Sequence, residues 1–227
     1  MINVPKKVLV FAAHQDDETI GCGGTISKWS SMGSSIDVCF VTNGSTGILQ
    51  NTNPDDIVLV RNEEVNRAAK ILGINRVHNL NIPCQQVVNN QENFHKIIKK
   101  IREIKPSLVI THNPVCKHRD HKQTSELVQE ACWKANENIL EDLGETHRVL
   151  DLWSYEILDP HPDPDYVVDI TEQYQDKCEA MREYYSQLGF LNNIMGYIDG
   201  LSKIRGYSIG TMRGEAFTRI GRSPVRL

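Results

Sequence analysis

The sequence lacks two features that mark large classes of protein: a long apolar run and an excess of positive charge. No apolar run approaches the roughly 18 residues of a membrane-spanning helix. The formal net charge at pH 7 is -4, from 25 Lys and Arg against 29 Asp and Glu. We therefore expect no membrane span. We also expect no nucleic-acid partner, because nucleic-acid binding usually requires a basic surface.

The six cysteines lack a pattern as well. They are scattered along the chain without a CxxC pair, so they favour neither a zinc ribbon nor a disulfide framework. We interpret them as free thiols in a reducing compartment. The first apolar run, within MINVPKKVLVFAAH, leads directly into a polar loop without the cleavage pattern of a signal peptide. We therefore expect a cytoplasmic location.

What the sequence does contain is an alternation of strand and helix patterns. Short apolar runs, typical of strands buried on both faces, cover residues 7–13, 35–42, 74–80, 107–111, 149–158 and 166–170. Helical patterns cover residues 56–73, 93–105 and 172–188, and another helix follows residue 121. This alternation predicts an α/β fold, a Rossmann-like, doubly wound, mostly parallel sheet with helices on both faces.

The length and continuity of the chain indicate its domain organisation. The 227 residues contain no repeat, low-complexity segment or linker, and they suffice for one domain with a sizeable core. We predict a single domain over residues 1–227, in which the part from about 150 to 227 completes the sheet and the substrate site. After residue 188 we see only a basic, glycine-containing tail that ends in GEAFTRI.

Two polar clusters follow the first and fourth predicted strands. HQDDE begins at His14 and HNPVCKHRDH begins at His112. In a doubly wound sheet of order 3-2-1-4, strands 1 and 4 are neighbours at the switch point, where ligands bind beyond their carboxyl ends. The two clusters should therefore converge on the crevice of the fold.

The converging loops carry the side chains that bind metal ions. A catalytic zinc site needs three nitrogen or oxygen ligands and an open position for water. One histidine and one carboxylate from the first loop, with one histidine from the second, would supply them. A second carboxylate beside the ion can serve as general base. The groups available are His14, Asp16, Asp17, Glu18, His112, His118, Asp120 and His121.

These residues also carry a resemblance. AAHQDDETIGCGGTI resembles the AHPDDE signature, and HRDH the HPDH signature, of the LmbE/PIG-L family of zinc-dependent N-acetylglucosamine de-N-acetylases. The likeness continues through VTNGSTG, RNEE, AMREYYSQ and RGYSIGTMRGEAF, so it spans nearly the whole chain. Either tetrapeptide alone would be weak, but the two signatures in order and at family spacing are specific.

The resemblance implies roles for individual residues. The metal ligands would be His14, Asp17 and His121, and the general base would be Asp16. His118 would polarise the amide oxygen and stabilise the oxyanion. Neutral imidazole and carboxylate are ordinary zinc ligands, so the residue types suit these roles.

Further roles follow from the resemblance for residues around this set. Asp120 would orient His118. Arg61 would contact substrate hydroxyls or phosphate, but a helix-surface ion pair with Glu64 or a neighbour is an equally weighted alternative. Glu18 is expected to be structural, at the junction of loop and helix.

The implied activity is a metal-dependent hydrolase, an N-deacetylase. It would remove the acetyl group from a small-molecule or glycoconjugate substrate carrying N-acetylglucosamine and release acetate. The nucleophile would be a metal-bound water, with Asp16 as general base. Zn²⁺ is the expected cofactor, although the same ligands also suit Fe²⁺, Co²⁺ or Mn²⁺. The resemblance also suggests a homo-oligomer of undetermined size.

The chain departs from the family pattern at four positions. Gln15 and Arg119 replace prolines of the two signatures, which bears on loop rigidity. Cys116 stands where some members have a tyrosine that donates to the oxyanion. Cys84 stands where many members have an acid that contacts sugar hydroxyls, which bears on the substrate.

Two other functions stay open at this stage. Clustered Asp and His residues also build two-metal phosphohydrolases, and two bound metal ions per chain would favour that activity. A non-catalytic relative that binds sugar or metal is the second alternative. It is disfavoured because pure binding needs neither Asp16 nor His118.

Overall fold

A seven-stranded sheet forms the centre of the protein. The computed structural model describes residues 4–46 and 54–221. The strands are β1 Lys7–Ala12, β2 Ser35–Thr42, β3 Arg76–Ile82, β4 Leu108–His112, β5 Asp151–Tyr155, β6 Tyr166–Asp169 and β7 Gly214–Arg219. The helices are α1 Asp17–Ser31, α2 Pro54–Leu72, α3 Gln91–Ile104, α4 Arg119–Lys134, α5 Tyr174–Glu183, α6 Tyr185–Leu188 and α7 Ile194–Ser208, with a 3-10 turn at Glu141–Leu143.

The strand order is β3-β2-β1-β4-β5-β7-β6. Strands β1 to β5 pair in parallel, while β7 runs antiparallel to both β5 and β6. The predicted α/β fold class and the order 3-2-1-4 are confirmed. The switch point between β1 and β4 therefore exists, and the loops after these two strands leave the sheet side by side.

The position of β1 in the middle of the sheet explains why its sequence is continuously apolar. Alternate side chains enter opposite faces of a sheet. Val8, Val10 and Ala12 belong to the core on one face, and Leu9 and Phe11 to the core on the other. All five are buried because helices cover both faces. Helices α1, α2 and α5 pack on the first face, and α3 and α4 on the second.

The helix predicted over residues 172–188 is in fact two helices. Helix α5 ends at Glu183, and α6 begins at Tyr185. Tyr184 between them has φ -82° and ψ 48°, and its buried hydroxyl donates a hydrogen bond of 2.5 Å to Glu18 Oε1. This tertiary contact holds Tyr184 out of the helical conformation, which periodicity alone does not reveal.

The tail expected after residue 188 contains regular structure. Helix α7 carries three glycines, at positions 196, 200 and 206, which lower intrinsic helix propensity and conceal the pattern. The segment GEAFTR forms β7, inserted between β5 and β6. The part of the chain after residue 150 thus supplies three of the seven strands.

Two further expectations concern the whole chain. That residues 1–227 form one domain stays a prediction, since residues 1–3, 47–53 and 222–227 lie outside the described residues. Within the described ranges, none of the helices combines the length and apolar character required to cross a membrane.

Candidate metal centre and active site

The carboxyl ends of β1 and β4 bring the two polar loops together. The backbone N–H of Ala13, just after β1, donates a hydrogen bond of 2.8 Å to His112 Nε2 at the end of β4. The first loop then continues into α1 at Asp17, and the second into α4 at Arg119. The expected convergence at the switch point is therefore present.

His14, Asp17 and His121 form a compact triad. His14 Nδ1 lies 3.3 Å from Asp17 Oδ2, and His121 Nε2 lies 3.3 Å from Asp17 Oδ1. His121 Nε2 and His14 Nδ1 are also 3.3 Å apart. Ligands placed tetrahedrally about 2.0–2.1 Å from an ion lie about 3.3–3.4 Å from one another. Two imidazole nitrogens and a carboxylate at this spacing fit Zn²⁺ or a similar divalent ion.

Asp120 supports the triad from outside. Its Oδ2 lies 3.0 Å from His14 Nε2 and accepts a 2.7 Å hydrogen bond from the backbone N–H of Gln85. A carboxylate on the outer nitrogen of a histidine fixes its tautomer and leaves the inner nitrogen free for a metal. The structure therefore gives Asp120 a different partner from the expected one. His118 caps α4 in an extended conformation, whereas Asp120 lies in the first helical turn and is directed to His14.

His121 has its own outer partners. Its Nδ1 lies 3.4 Å from the sulfur of Cys116. The ring of His112 stacks on it with centroids 4.1 Å apart, and the Tyr155 hydroxyl lies 3.0 Å from His112 Nε2. Burial, followed by the charge of His121, lowers the pKa of His112 to about 3. His112 is thus a neutral support under His121.

Charge pairing between its members contributes to the arrangement of the triad. Burial raises the pKa of Asp17, but the charge of His121 and hydrogen bonds with His112 and His121 outweigh it and hold this pKa well below its usual range. Burial lowers the pKa of His14, yet hydrogen bonds to Asp120 and Asp17 raise it overall, to about 10. The cluster therefore attracts positive charge, which a divalent cation would also supply.

Asp16 lines a cavity that His14, Asp17 and His121 also line. Its φ of 126° is a left-handed conformation that residues other than glycine rarely adopt. Burial and the neighbouring charge of Asp17 raise its pKa above the usual range, while Arg61 and His14 oppose that shift. Strained backbone at a cavity, together with a carboxyl group of raised pKa, is typical of functional sites.

Arg61 supports the first loop from α2. Its side chain is only 2% exposed, and its Nη2 donates a hydrogen bond of 2.5 Å to the carbonyl oxygen of Gln15. The same nitrogen lies 3.9 Å from Asp16 Oδ2. The alternative of an ion pair with Glu64 is not what the structure shows. Glu64 instead accepts hydrogen bonds of 2.7 and 2.8 Å from the backbone N–H and hydroxyl of Ser186.

His118 lies beside the triad. Its ring centroid is 4.8 Å from that of His14 and 4.4 Å from that of His121. Burial, then the charges of His121 and His14, lower its pKa. Its Nδ1 is buried with no hydrogen-bond partner among the described residues. A buried polar atom without a partner is of the kind that a bound ligand can satisfy.

These side chains line a cavity of about 220 Å³. The volume is below the roughly 300–1,000 Å³ typical of drug-sized ligands, so it suits a small group such as one sugar unit. One wall is polar and contains all the expected site residues except Asp120. The other is largely apolar and comes from the part of the chain after residue 150, which was expected to complete the substrate site, although none of these residues was singled out: Ile157, Leu158, Gln187, Phe190, Leu191 and Ile194. Gln187, in α6, belongs to the AMREYYSQ stretch. No motif marks the others, which follow β5, lie between α6 and α7 or begin α7.

Fold and site together define an α/β protein with a His–Asp–His centre at its switch point. Residues 9–132, more than half of the chain, match the family described as PIG-L: GlcNAc-PI de-N-acetylase. The diacetylchitobiose deacetylase of Thermococcus kodakarensis is 30% identical over 199 residues, which cover 82% of this chain and 71% of that protein. The chain therefore belongs to the PIG-L family, as the two signatures indicated.

Solved structures agree with this assignment. The N,N'-diacetylchitobiose deacetylase from Pyrococcus horikoshii superposes with a TM-score of 0.88 at 26% identity, covering 95% of this chain and 84% of that one. The conserved protein TT1542 from Thermus thermophilus gives a TM-score of 0.86 at 27% identity, with coverage of 97% and 96%. The whole α/β architecture, including the late strands and helices, is thus shared with these proteins.

Proposed function

We propose that this chain is a zinc-dependent N-deacetylase that acts on a sugar conjugate carrying N-acetylglucosamine. The observation that carries the proposal is the triad of ligand atoms 3.3 Å apart, beside a cavity that also contains Asp16 and His118. His14, Asp17 and His121 would hold the ion. Family membership and the names of two relatives, both diacetylchitobiose deacetylases, support the substrate class.

The reaction would be hydrolysis of an amide. When bound, the ion would act as a Lewis acid, lowering the pKa of a water molecule and polarising the acetyl carbonyl. Asp16 would accept a proton on its carboxylate as the water oxygen attacks the carbonyl carbon. His118 would donate a hydrogen bond to the oxygen on which negative charge develops. Asp16 would then return its proton to the leaving nitrogen as the C–N bond breaks, giving acetate and a free amine.

Arg61 and Asp120 would support these steps without entering them. Arg61 would hold the loop that presents Asp16, through the carbonyl of Gln15, and it also borders the cavity, where a substrate hydroxyl could reach it. Asp120 would hold His14 in the tautomer that leaves Nδ1 free. A cytoplasmic location and a homo-oligomeric state stay predictions.

Acetate release tests the proposal directly. Zinc-loaded protein would be incubated with a panel of N-acetylglucosamine conjugates, including diacetylchitobiose, with Asp16→Asn as the control. Release by the unmodified protein alone supports the deacetylase, and the preferred conjugate narrows the substrate class. No release from any conjugate, with hydrolysis of phosphate esters instead, would favour the phosphohydrolase.

A metal count separates the deacetylase from a two-metal enzyme. Two groups of side chains in the described parts of the chain have the spacing to hold an ion: His14, His118 and His121, and Asp17, His112 and His121. They share His121 and together contain the proposed ligands, so they overlap at one position. We therefore expect one tightly bound ion per chain by elemental analysis. Two ions per chain would contradict this expectation.

A further inference from the structure

Helix α1 is broken close to the candidate metal centre. Cys22, five residues after Asp17, has φ -147° and ψ 21°, which is not a helical conformation. The break separates a short first turn, which begins at Asp17, from the longer remainder of the helix. It also leaves backbone N–H and C=O groups without helical partners in a buried region, and such groups are costly unless something else satisfies them.

A buried ion pair from two distant segments supplies hydrogen-bond partners for the backbone groups at the break. Lys177 Nζ, from α5, donates a 2.8 Å hydrogen bond to the carbonyl oxygen of Ile20. Glu215, from β7, accepts hydrogen bonds of 2.9 Å from Gly24 N–H and 2.7 Å from Thr25 N–H. Lys177 Nζ and Glu215 Oε1 are 2.5 Å apart, and the two side chains are only 4% and 3% exposed.

The charges of this pair match the dipoles of the two helical segments. The ammonium group lies at the carboxyl end of the first turn, and the carboxylate lies at the amino end of the second segment. A deeply buried ion pair gives little net stability compared with apolar side chains of the same volume. The presence of this pair is therefore poorly explained by a contribution to the stability of the fold alone.

We propose that Lys177 and Glu215 are positioning residues that set the direction of the first turn of α1, and with it the aim of Asp17 at His14 and His121. Neither side chain belongs to the triad, so the pair acts only through the backbone of α1. Residues from α5 and β7 would thereby control metal affinity at the opposite end of the helix turn. This inference rests on the metal centre proposed above.

Cobalt titration tests the positioning role because Co²⁺ absorbs visible light in a way that depends on its ligand geometry. We would measure the Kd and the visible spectrum for the unmodified protein and for Glu215→Gln, which loses the charge and one of the two acceptors. The double variant Lys177→Met/Glu215→Leu removes both charges together, so that neither is left buried alone. We expect Kd to rise at least tenfold in both variants and the cobalt band to change shape.

Asp37→Asn is the matched control. Asp37 is also a fully buried carboxylate, paired with Arg76 at 3.0 Å, but it belongs to β2 and its partners lie on or near β3. Its cobalt affinity should stay within twofold of the unmodified protein. A folded Glu215→Gln or double variant with unchanged Kd and an unchanged cobalt band would overturn the positioning role.

A second test measures amide hydrogen exchange in the unmodified protein, so its result does not depend on whether any variant folds. If metal binding and the break are coupled, the coupling is reciprocal. Loading zinc should then slow exchange of the Gly24 and Thr25 amides by at least threefold more than amides of α3, on the opposite face of the sheet. Equal slowing at both places would overturn the proposal. Absence of cobalt binding by the unmodified protein is a different result, which contradicts the metal centre and the positioning role with it.

Discussion

At the residue scale, two adjacent carboxylates are put to different uses. Asp17 is directed to His14 and His121, while Asp16 borders the cavity beside Arg61. The left-handed φ of Asp16 makes this divergence possible. Such a conformation costs of order 1–3 kcal/mol and persists only where the surroundings hold it. The strained backbone at Asp16 therefore allows the adjacent carboxylates of Asp16 and Asp17 in HQDDE to contact different partners.

This separation predicts distinct effects for the two acids. Asp16→Asn keeps the size of the side chain but removes its capacity to carry a proton. We expect it to bind one zinc per chain and to lose about 10²–10⁴-fold in acetate release, the usual contribution of general acid–base catalysis. Elemental analysis and acetate assays check both parts. Loss of the metal, or retention of activity, would contradict the assignment.

Asp120 allows a second prediction at this scale. Because it holds the outer nitrogen of His14, Asp120→Asn should weaken zinc binding by roughly 10- to 100-fold, as for other outer partners of metal-binding histidines. Competition with a zinc-binding dye measures the affinity. Asp151→Asn, at the opposite end of the parallel strands in β5, is the control and should leave it unchanged. Equal affinities for all three proteins would exclude this role.

The motifs predict residue types better than they predict partners. His14, Asp17 and His121 are together as expected because the switch point depends only on strand order. The partner of Asp120 could not be predicted, because it depends on the residue at which α4 begins. A shift of that start by one residue would turn the Asp120 side chain in another direction. The partner of Arg61 is a backbone carbonyl, and no sequence pattern identifies a carbonyl as an acceptor.

At the element scale, close approach between α1 and β5 shapes the site. A Cβ atom on Gly21 would lie 2.3 Å from Tyr155 Cδ2. Tyr155 in turn donates a 3.1 Å hydrogen bond to Phe11 O and lies 3.0 Å from His112 Nε2. Glycine at position 21 therefore lets the first turn of α1 reach the support under the metal centre.

Gly21→Ala should therefore destabilise the protein by about 1–3 kcal/mol, as overpacking of a core typically does. Gly200→Ala is a matched control in α7, where a new Cβ meets nothing within 4 Å. Alanine there should stabilise the helix by roughly 0.5–1 kcal/mol. Urea denaturation of the two variants measures both changes in the free energy of unfolding. A smaller loss in Gly21→Ala than in Gly200→Ala would show that the packing argument is wrong.

The elements that sequence analysis missed share a physical cause. Strands β1, β2 and β4 are buried on both faces, so a continuous apolar run identifies each one. Strand β7 contains Glu215, which is buried beside Lys177 and accepts hydrogen bonds from the backbone N–H groups of Gly24 and Thr25. A buried ion pair between distant segments makes a core strand look polar. Helix α7 and the break at Tyr184 likewise depend on tertiary contacts rather than on local pattern.

At the scale of the whole molecule, the candidate metal centre connects parts of the chain that are far apart in sequence. Asp17 and His121 are separated by about half of the chain, and the ion would link α1 directly to α4. The substrate cavity is then completed by Ile157, Phe190 and Ile194, from the last third. Residues from the first, second and last parts of the described chain thus contribute to one site.

This connection predicts that metal loading stabilises the whole fold. A ligand that binds only the folded state contributes about 2.7 kcal/mol at a hundredfold excess over its Kd, or about 5–10 °C in Tm for a chain of this size. Thermal unfolding with and without zinc measures the shift, and EDTA should reverse it. Asp17→Asn should abolish the shift by removing a ligand, whereas Asp16→Asn should keep it. A full shift in Asp17→Asn would mean that Asp17 does not hold the ion, and if Asp16→Asn lost the shift instead, the adjacent acids would have to exchange roles.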